Sequence, residues 1–539
     1  MELEKFSIPA TNRFASLYLQ QQQPVTDYFH YQITDSDVYR KRVNDLQKRT
    51  FQREKLVECI DQYMERFPRS EKVEESLLKL KHDGVVVIGG QQAGLLTGPL
   101  YSVHKIISII ALANQQEREL GVPVIPVFWI AGEDHDYQEI NHVFAFDEGK
   151  VNKLSYQEKN VDKQMVSGMS FDKDKMNTWI RSVFESFGET VHTKKLLAMV
   201  ERAVQSSMTI VDLFSYIVME MFKDYGLLII DSADSSLRQI ERPFFQQLLE
   251  KNETITKNLL FQQETIKVDG FEPMIDATEF SMNLFIQHNG ERMLLERTEE
   301  GAKSKGAKKR WSIYELNNTL RSAPESFSNN VVTRPMMQEW LFPTLAFIAG
   351  PGEIAYWGEL KKSFECMGLK MPPIIPRQNI TILERDIEKL LGEFNETPEK
   401  VIQHGLLQEK NAFISSLKDE SLHDAIHGVK EKLISQYGDI TNLTETHDKG
   451  LMPLVEKNLA FHLKQLQFLE ERIVKSNLLK ETISIKKYDR VIASLQPNGV
   501  PQERIWNVFY YLNKHGLHFI HELTSLSYSW DGRHNLVKM

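Results

Sequence analysis

DGVVVIGGQQAGLLTGPLYSVHKI, residues 83–106, passes from a β-branched apolar run through four glycines into an amphipathic helix. A short, continuously apolar run of this kind suits a strand buried on both faces of a parallel sheet. Beyond Pro99, apolar residues at Val103, Ile106, Ile107, Ile110 and Leu112 mark a helix reaching about Glu119, with proline suited to its first turn. A second buried run, VPVIPVFWIAG, ends near Gly132. Strand, glycine turn, helix and strand make a βαβ unit, whose right-handed crossover makes the strands parallel. Further strands are expected at 226–231 (GLLIID), 344–350 (TLAFIAG) and 372–376 (PPIIP). The fold class is therefore α/β, with a parallel sheet core.

Working outward, residues 1–82 carry helical spacing at Val43, Leu46, Phe51, Leu56, Ile60 and Met64 and are expected to form a helical N-terminal segment. Stretches at about 145–220 and 235–330 read as insertions in the sheet domain. The second contains NLFIQHNGERMLLE, a hairpin turning at Asn289-Gly290, and a basic loop at 303–310 expected to be solvated and mobile. The core is thus assigned to 1–384. From 385 to 480 the chain becomes helical: Met452, Leu459, Leu466 and Ile473 recur every seven residues, with Val455 and Leu469 three further on. Leu422, Ile426, Val429 and Leu433 mark a preceding helix face, so an antiparallel coiled-coil hairpin turning near 448–450 is expected. Residues 481–539, rich in aromatics, are expected to pack back on the core.

The bulk properties exclude several classes. At 539 residues the chain exceeds the size at which a single core keeps growing, so a large domain with an appendage is expected. The net charge of −9 argues against nucleic-acid binding, which needs a basic surface for counterion release. No apolar stretch approaches a membrane span, and the N-terminus lacks a signal-peptide pattern. Two distant cysteines, Cys59 and Cys366, argue against a disulfide framework or thiolate zinc cage and suit a reducing, cytoplasmic setting.

Three clusters carry chemistry. The turn GGQQAGLLTGP lies where an open parallel sheet binds ligands and offers backbone N–H groups to an anion. It is neither a P-loop nor a G-x-G-x-x-G fingerprint. Gly90, Gln91, Gln92, Gly94, Thr97 and Gly98 are its candidate substrate or phosphate contacts, with His104 and Lys105 of the next helix as charge stabilisers. The second cluster, Glu133, Asp134, His135 and Asp136, follows the second strand and could bind a metal, orient an amine or act as a base. The third joins Asn330 and Arg334 to Glu353, Tyr356 and Trp357, with Arg377 beyond the last strand as a carboxylate or phosphate partner. His515, His518 and His521 do not share a helix face, so no zinc site is expected there. On these residues alone, a metal-dependent hydrolase centred on Asp134, His135 and Asp136 and a nucleotide-regulated coiled-coil scaffold stay open.

VVIGGQQAGLLTGPLYSVHKI, PVFWIAGEDHDYQEIN, FSNNVVTRPMMQEWLFPTLAFIAGPGEIAYWGELK, MPPIIPRQNITILER and PQERIWNVFYYLN together resemble the bacillithiol synthase family, the cysteine-adding enzymes of Firmicutes. The resemblance runs essentially end to end. It implies a Rossmann-like core with connecting-peptide insertions, similar to class I aminoacyl-tRNA synthetases and nucleotidylyl transferases, and a coiled coil that supports a homodimer. It implies a ligase for the last step of bacillithiol biosynthesis, joining the cysteine carboxyl to the amine of glucosaminyl-malate. TGPLYSVHK stands where class I relatives carry a phosphate-binding histidine motif, without reproducing it. Because amide formation from a free carboxylate needs activation, ATP or another nucleotide is expected, while any metal stays unknown. The resemblance further implies a second, non-catalytic nucleotide site drawing on Arg490, Arg504, Trp506 and Asn507.

Overall fold

The computed structural model of the chain describes residues 1–147, 149–158, 164–306, 309–417 and 420–539. The chain forms two compact units. One comprises Met1–Asp147, Asn152–Ile382 and Gln502–Met539, and the other comprises Leu383–Pro501 with residues 149–151.

The first unit is built on five parallel strands, β1 (Val85–Gln91), β2 (Val124–Ile130), β3 (Leu228–Asp231), β4 (Thr344–Ala349) and β5 (Ile374–Pro376), in the order β3-β2-β1-β4-β5. β1 is central because it has no face or edge for a polar side chain: Val85 to Gly90 are all buried. Its glycines answer to its neighbours. A Cβ at Gly90 would lie 2.8 Å from the Trp129 carbonyl of β2, and one at Gly89 would lie 3.1 Å from the Ile348 carbonyl of β4. The strand order reverses direction at β1, so the carboxyl ends of β1 and β4 open the crevice where such sheets hold ligands.

Four helices position that crevice. α1 (Leu100–Leu120) crosses from β1 to β2 and stops at Gly121, whose φ of 69° is the left-handed value a helix end favours. α2 (Ser235–Val268) follows β3 and is capped by Asp234, whose side chain accepts the N–H groups of Ser236 and Leu237. α3 (Thr333–Leu341) precedes β4, and α4 (Pro351–Gly358) follows it.

The 235–330 stretch holds a five-stranded antiparallel sheet in the order Arg310–Ser312, Gly301–Ser304, Glu291–Arg297, Ser281–His288, Phe327–Asn329. Its Asn289-Gly290 turn has φ of 52° and 82°, the two positive values a two-residue hairpin requires. Residues 307 and 308 of the basic loop lie outside the described residues. In the 145–220 stretch, helix Ile210–Phe222 is buried along nearly its whole length and leads into β3, so it is part of the core crossover.

The N-terminal segment is not helical throughout. Glu2–Phe6 is a strand, paired antiparallel with His534–Lys538 in a small sheet that also contains Ile380–Leu383. Among the described residues, no helix is long and apolar enough to cross a membrane.

The second unit contains the coiled-coil pair α5 (Glu420–His447) and α6 (Met452–Lys480), joined by a turn in which Asp448 accepts the Gly450 N–H at 2.8 Å. The helices run antiparallel, with His423 and Lys430 meeting Glu470 at 2.6 and 2.8 Å while Tyr437 meets Asn458. Met452, Val455, Leu459, Leu466 and Ile473 are half-buried on the seam. Leu422, Leu469 and Val429 depart from that expectation, being 37%, 49% and 51% exposed, because the seam on α5 runs through Ile426, Leu433 and Tyr437. Helix Thr482–Leu495 belongs to this unit, and Tyr488 stacks on Phe394 at 4.1 Å.

Candidate active site

A cleft of about 710 Å³ opens at the carboxyl ends of β1, β2, β4 and β5 in the first unit. The glycine turn divides between its wall and the core behind. Gly90, Gln91 and Gln92 line the cleft. Gly94, Thr97 and Gly98 do not: they are buried in a left-handed turn in which Leu96, Thr97 and Gly98 have φ of 51°, 73° and 69°. Positive φ is costly for a β-branched residue, so Thr97 needs its surroundings to hold it. Asn507 supplies that hold, donating to the carbonyls of Leu96 (2.8 Å) and Gly98 (2.7 Å) while accepting the Phe509 N–H (2.9 Å). A Cβ on Gly94 would come within 2.6 Å of the Gly98 Cα. The Leu100 N–H, the first of α1, donates to the Trp506 carbonyl at 2.7 Å. This part of the turn is therefore a scaffold rather than a phosphate cradle, which corrects the expectation for Gly94, Thr97 and Gly98.

His104 and Lys105 are both buried and face different partners. The Lys105 ammonium donates to the Gly90 carbonyl (2.7 Å), Gln91 Oε1 (3.3 Å) and Glu353 Oε2 (2.5 Å), and it reaches the cleft wall. Glu353 Oε2 also accepts the Gly350 N–H at 2.7 Å, closing the first turn of α4. Burial pushes the Lys105 ammonium down, and Glu353 resists that shift. His104 lies behind the cleft, with Nδ1 3.0 Å from Glu503 Oε2. Arg377 forks onto the same carboxylate at 2.6 and 2.5 Å. Burial works to raise the Glu503 carboxyl, but Arg377 and His104 outweigh it and hold it well below the usual carboxylate range. His104, pushed down by burial, is a packing residue and does not line the cleft; Arg377 does.

At the end of β2, Glu133 is 3% exposed, and its Oε2 accepts from Arg238 of α2 (2.5 Å) and from the Asn329 N–H (3.3 Å). Arg238 also donates to Glu241. Asp134 accepts from Gln92 Nε2 at 2.6 Å, and His135 Nδ1 lies 3.2 Å from Arg292. Glu133, Asp134 and His135 line the cleft; Asp136 lies outside its lining. This geometry does not suit a metal. Gln92 occupies Asp134, a guanidinium faces the His135 ring nitrogen, and Asp136 is not part of the cleft lining. Among the described residues, no three His, Cys, Asp or Glu side chains are grouped to ligate one.

On the opposite wall, Arg334 donates to the Tyr356 hydroxyl at 2.5 Å, and burial pushes that phenol up to about 12. Both line the cleft with Asn330, whose Oδ1 accepts the N–H groups of Val332 and Thr333 at the start of α3. Trp357 is 1% exposed and packs between Phe347 and Phe364, so it belongs to the core. The four residues of the expected second nucleotide site are not brought together in one unit. Arg490 pairs with Asp386 in the helical unit, Trp506 and Asn507 are buried in the first, and Arg504 lines the cleft.

Several lining residues sit within the named stretches but are not among the expected site residues: Tyr101, Trp129, Phe285, Arg292, Lys305 and Asn329. Arg292 lies over the Phe285 ring at 3.7 Å and donates to Ser328 Oγ and the Asn329 carbonyl. Lys305, from the basic loop expected to be solvated, lines the cleft and stands 3.5 Å from Asp276. Among the described residues, the cleft guanidiniums of Arg292, Arg334 and Arg504 form no direct ion pair with a carboxylate, although Glu133 and Asp134 act on Arg292 and Glu353 and Glu133 on Arg334 from further off.

Fold and site together define a Rossmann-like α/β protein with a cationic cleft at its topological switch point and a coiled-coil unit. Residues 1–378 match the family described as "Bacillithiol biosynthesis BshC, N-terminal Rossmann-like domain", and residues 380–539 match "Bacillithiol biosynthesis BshC, C-terminal coiled-coil domain". Full-length relatives from Bacillus licheniformis and Bacillus velezensis, both named "Putative cysteine ligase BshC", are 41% identical over all of this chain and all of theirs. The chain belongs to the bacillithiol biosynthesis BshC family. A solved structure of a putative arginyl-tRNA synthetase from Campylobacter jejuni aligns over 88% of this chain and 98% of its own at 11% identity, with a TM-score of 0.23.

Proposed function

We propose that this protein is a cytoplasmic cysteine ligase that joins the cysteine carboxyl to the amine of glucosaminyl-malate, forming a carbon–nitrogen amide bond and yielding bacillithiol. The observation that carries this reading is the set of cleft guanidiniums, Arg292, Arg334 and Arg504, without a direct carboxylate ion pair among the described residues, beside the buried Lys105. Malate carries two carboxylates, cysteine one, and an activating nucleotide its phosphates; planar guanidiniums suit all of these anions. A nucleoside triphosphate such as ATP supplies the activation that a free carboxylate lacks.

Within the cleft, Arg334 and Arg504 hold the malyl carboxylates or phosphate, and Lys105 neutralises charge developing on the reacting carbonyl or leaving group. Asp134, oriented by Gln92, takes the proton that the attacking amine releases. The relatives' printed name supports the cysteine ligase part of this reading.

Purified protein incubated with cysteine, glucosaminyl-malate and ATP tests it by mass spectrometry of the thiol product and of AMP or ADP. Cells lacking the gene should accumulate glucosaminyl-malate and contain no bacillithiol; normal bacillithiol in those cells would overturn the assignment.

A further inference from the structure

Glu133, like Glu353, is held through one carboxylate oxygen, and it is the acid of the cleft that stands beside an unsatisfied amide. Its Oε2 takes two hydrogen bonds, from Arg238 at 2.5 Å and from the Asn329 N–H at 3.3 Å, while Oε1 makes none among the described residues, although Glu133 lines the cleft. One oxygen is thus anchored and the other is left to a ligand. In a wall otherwise rich in guanidinium and ammonium groups, it is a fixed negative point. The side chain of Asn329, in the same wall and 1% exposed, has neither Nδ2 nor Oδ1 hydrogen bonded. Leaving a buried amide unsatisfied is unfavourable, and polar groups retained in that condition at a cleft call for a partner.

We propose that Glu133 and Asn329 form the subsite for the head group of a zwitterionic α-amino acid, and that Glu241, acting through Arg238, is the positioning residue that sets Glu133. Glu133 Oε1 and Asn329 Oδ1 accept from the α-ammonium, and Asn329 Nδ2 donates to the adjacent carboxylate. One amide side chain thereby meets both charges of the ligand. No bond is made or broken at this subsite. It keeps the α-amine a cation and turns the carboxyl toward the cleft arginines. The subsite deepens the cysteine ligase reading and rests on it for the identity of the amino acid.

The role of Glu241 follows from its burial. It is fully buried on α2, one helical turn from Arg238, and its Oε1 makes no hydrogen bond. The charged and titratable groups around it are Arg238, Glu133, Asp234 and the Cys59 thiol, which burial keeps protonated. Burial raises the Glu241 carboxyl to about 7 against the pull of Arg238. Above that pH, Glu241 is ionised and shares Arg238, leaving the subsite more negative; below it, Arg238 turns its charge wholly to Glu133. Cysteine binding should therefore tighten as pH rises through neutrality.

The test is calorimetric titration of the full chain with L-cysteine, N-acetyl-L-cysteine and cysteamine under reducing conditions, at pH 6 to 8. Wild type is expected to favour L-cysteine over N-acetyl-L-cysteine by roughly 10- to 100-fold, the value of a charge-assisted hydrogen bond. Glu133→Gln and Asn329→Ala should each collapse that preference, and Glu241→Gln should flatten its pH dependence, with Glu241→Asp restoring it in part. Should Glu133→Gln fail to fold, Asn329→Ala carries the same comparison. Equal binding of the two ligands by wild type, or a preference retained in Asn329→Ala, overturns the subsite. Turnover separates the two readings. Ammonium-dependent cysteine binding without amide product refutes the ligase but leaves the subsite, whereas product formed by variants with unchanged cysteine KM refutes the subsite alone.

Discussion

Replacing Lys105 with methionine keeps an unbranched stem and removes an ammonium that donates to Glu353 at 2.5 Å and to the Gly90 carbonyl at 2.7 Å. Breaking a buried ion pair from one side costs about 3–5 kcal/mol, because the remaining charge is stranded. Two features lower that figure here. Glu353 keeps the Gly350 N–H at 2.7 Å, and its side chain is 18% exposed, so water reaches it. We therefore expect Lys105→Met to cost about 2–3 kcal/mol. Glu353→Gln leaves Lys105, whose side chain is only 2% exposed, with neutral partners, and should cost about 3 kcal/mol. The double variant removes both charges and should lose only about 2–3 kcal/mol, giving a coupling of roughly 3 kcal/mol. Urea denaturation reads all three through the midpoint, provided the slope is unchanged. Additive losses, with coupling below about 0.5 kcal/mol, would refute the view that this pair secures the β1 end of the cleft.

The remaining predictions concern other buried charges, the cleft anion contacts and assembly. Burial raises Asp231 at the end of β3 to about 6, so the folded state holds its proton more tightly between the ordinary carboxylate range and 6. Stability should fall as pH rises through that window, by at most about 3 kcal/mol, and Asp231→Asn should remove that slope in thermal melts. Glu503 has the opposite sign: held well below the usual carboxylate range by Arg377 and His104, it contributes stability at neutral pH that is lost on acidification, so Glu503→Gln should flatten the acid limb. Arg334→Lys keeps the charge but loses the fork, and should raise the KM for glucosaminyl-malate roughly tenfold with little change in circular dichroism; an unchanged KM removes Arg334 from substrate binding. Phe461, Phe468 and Leu469 leave apolar surface exposed on α6, and we expect sedimentation to show a homodimer that Leu469→Asp dissociates; a wild-type monomer at micromolar concentration excludes it.

How much of this was legible in the sequence depends on the distance over which each feature is determined. β1, α1 and β2 follow from local pattern, since a doubly buried strand must be continuously apolar and a helix end needs its glycine. The place of the cleft follows too, because the carboxyl ends of parallel strands and their order locate it without side-chain detail. Strand Glu2–Phe6 was not legible: its partner, His534–Lys538, lies at the other end of the chain, and neither segment carries a strong strand signal alone.

At single residues, local pattern fails for a sharper reason. His104 and Lys105 are neighbours on one helix, about 100° apart around its axis, so one turns to Glu503 and the other to Glu353. Asn329 and Asn330 divide in the same way, the second capping α3 and the first lying unpaired in the wall. Arg292 reaches His135 across 157 residues of sequence because the antiparallel insertion brings it there. Each division is made by the packing of a second element against the first. The motifs thus locate the cleft, while its chemistry is set by residues that packing selects: Arg238 behind Glu133, Glu503 behind Arg377 and Asn507 behind the glycine turn.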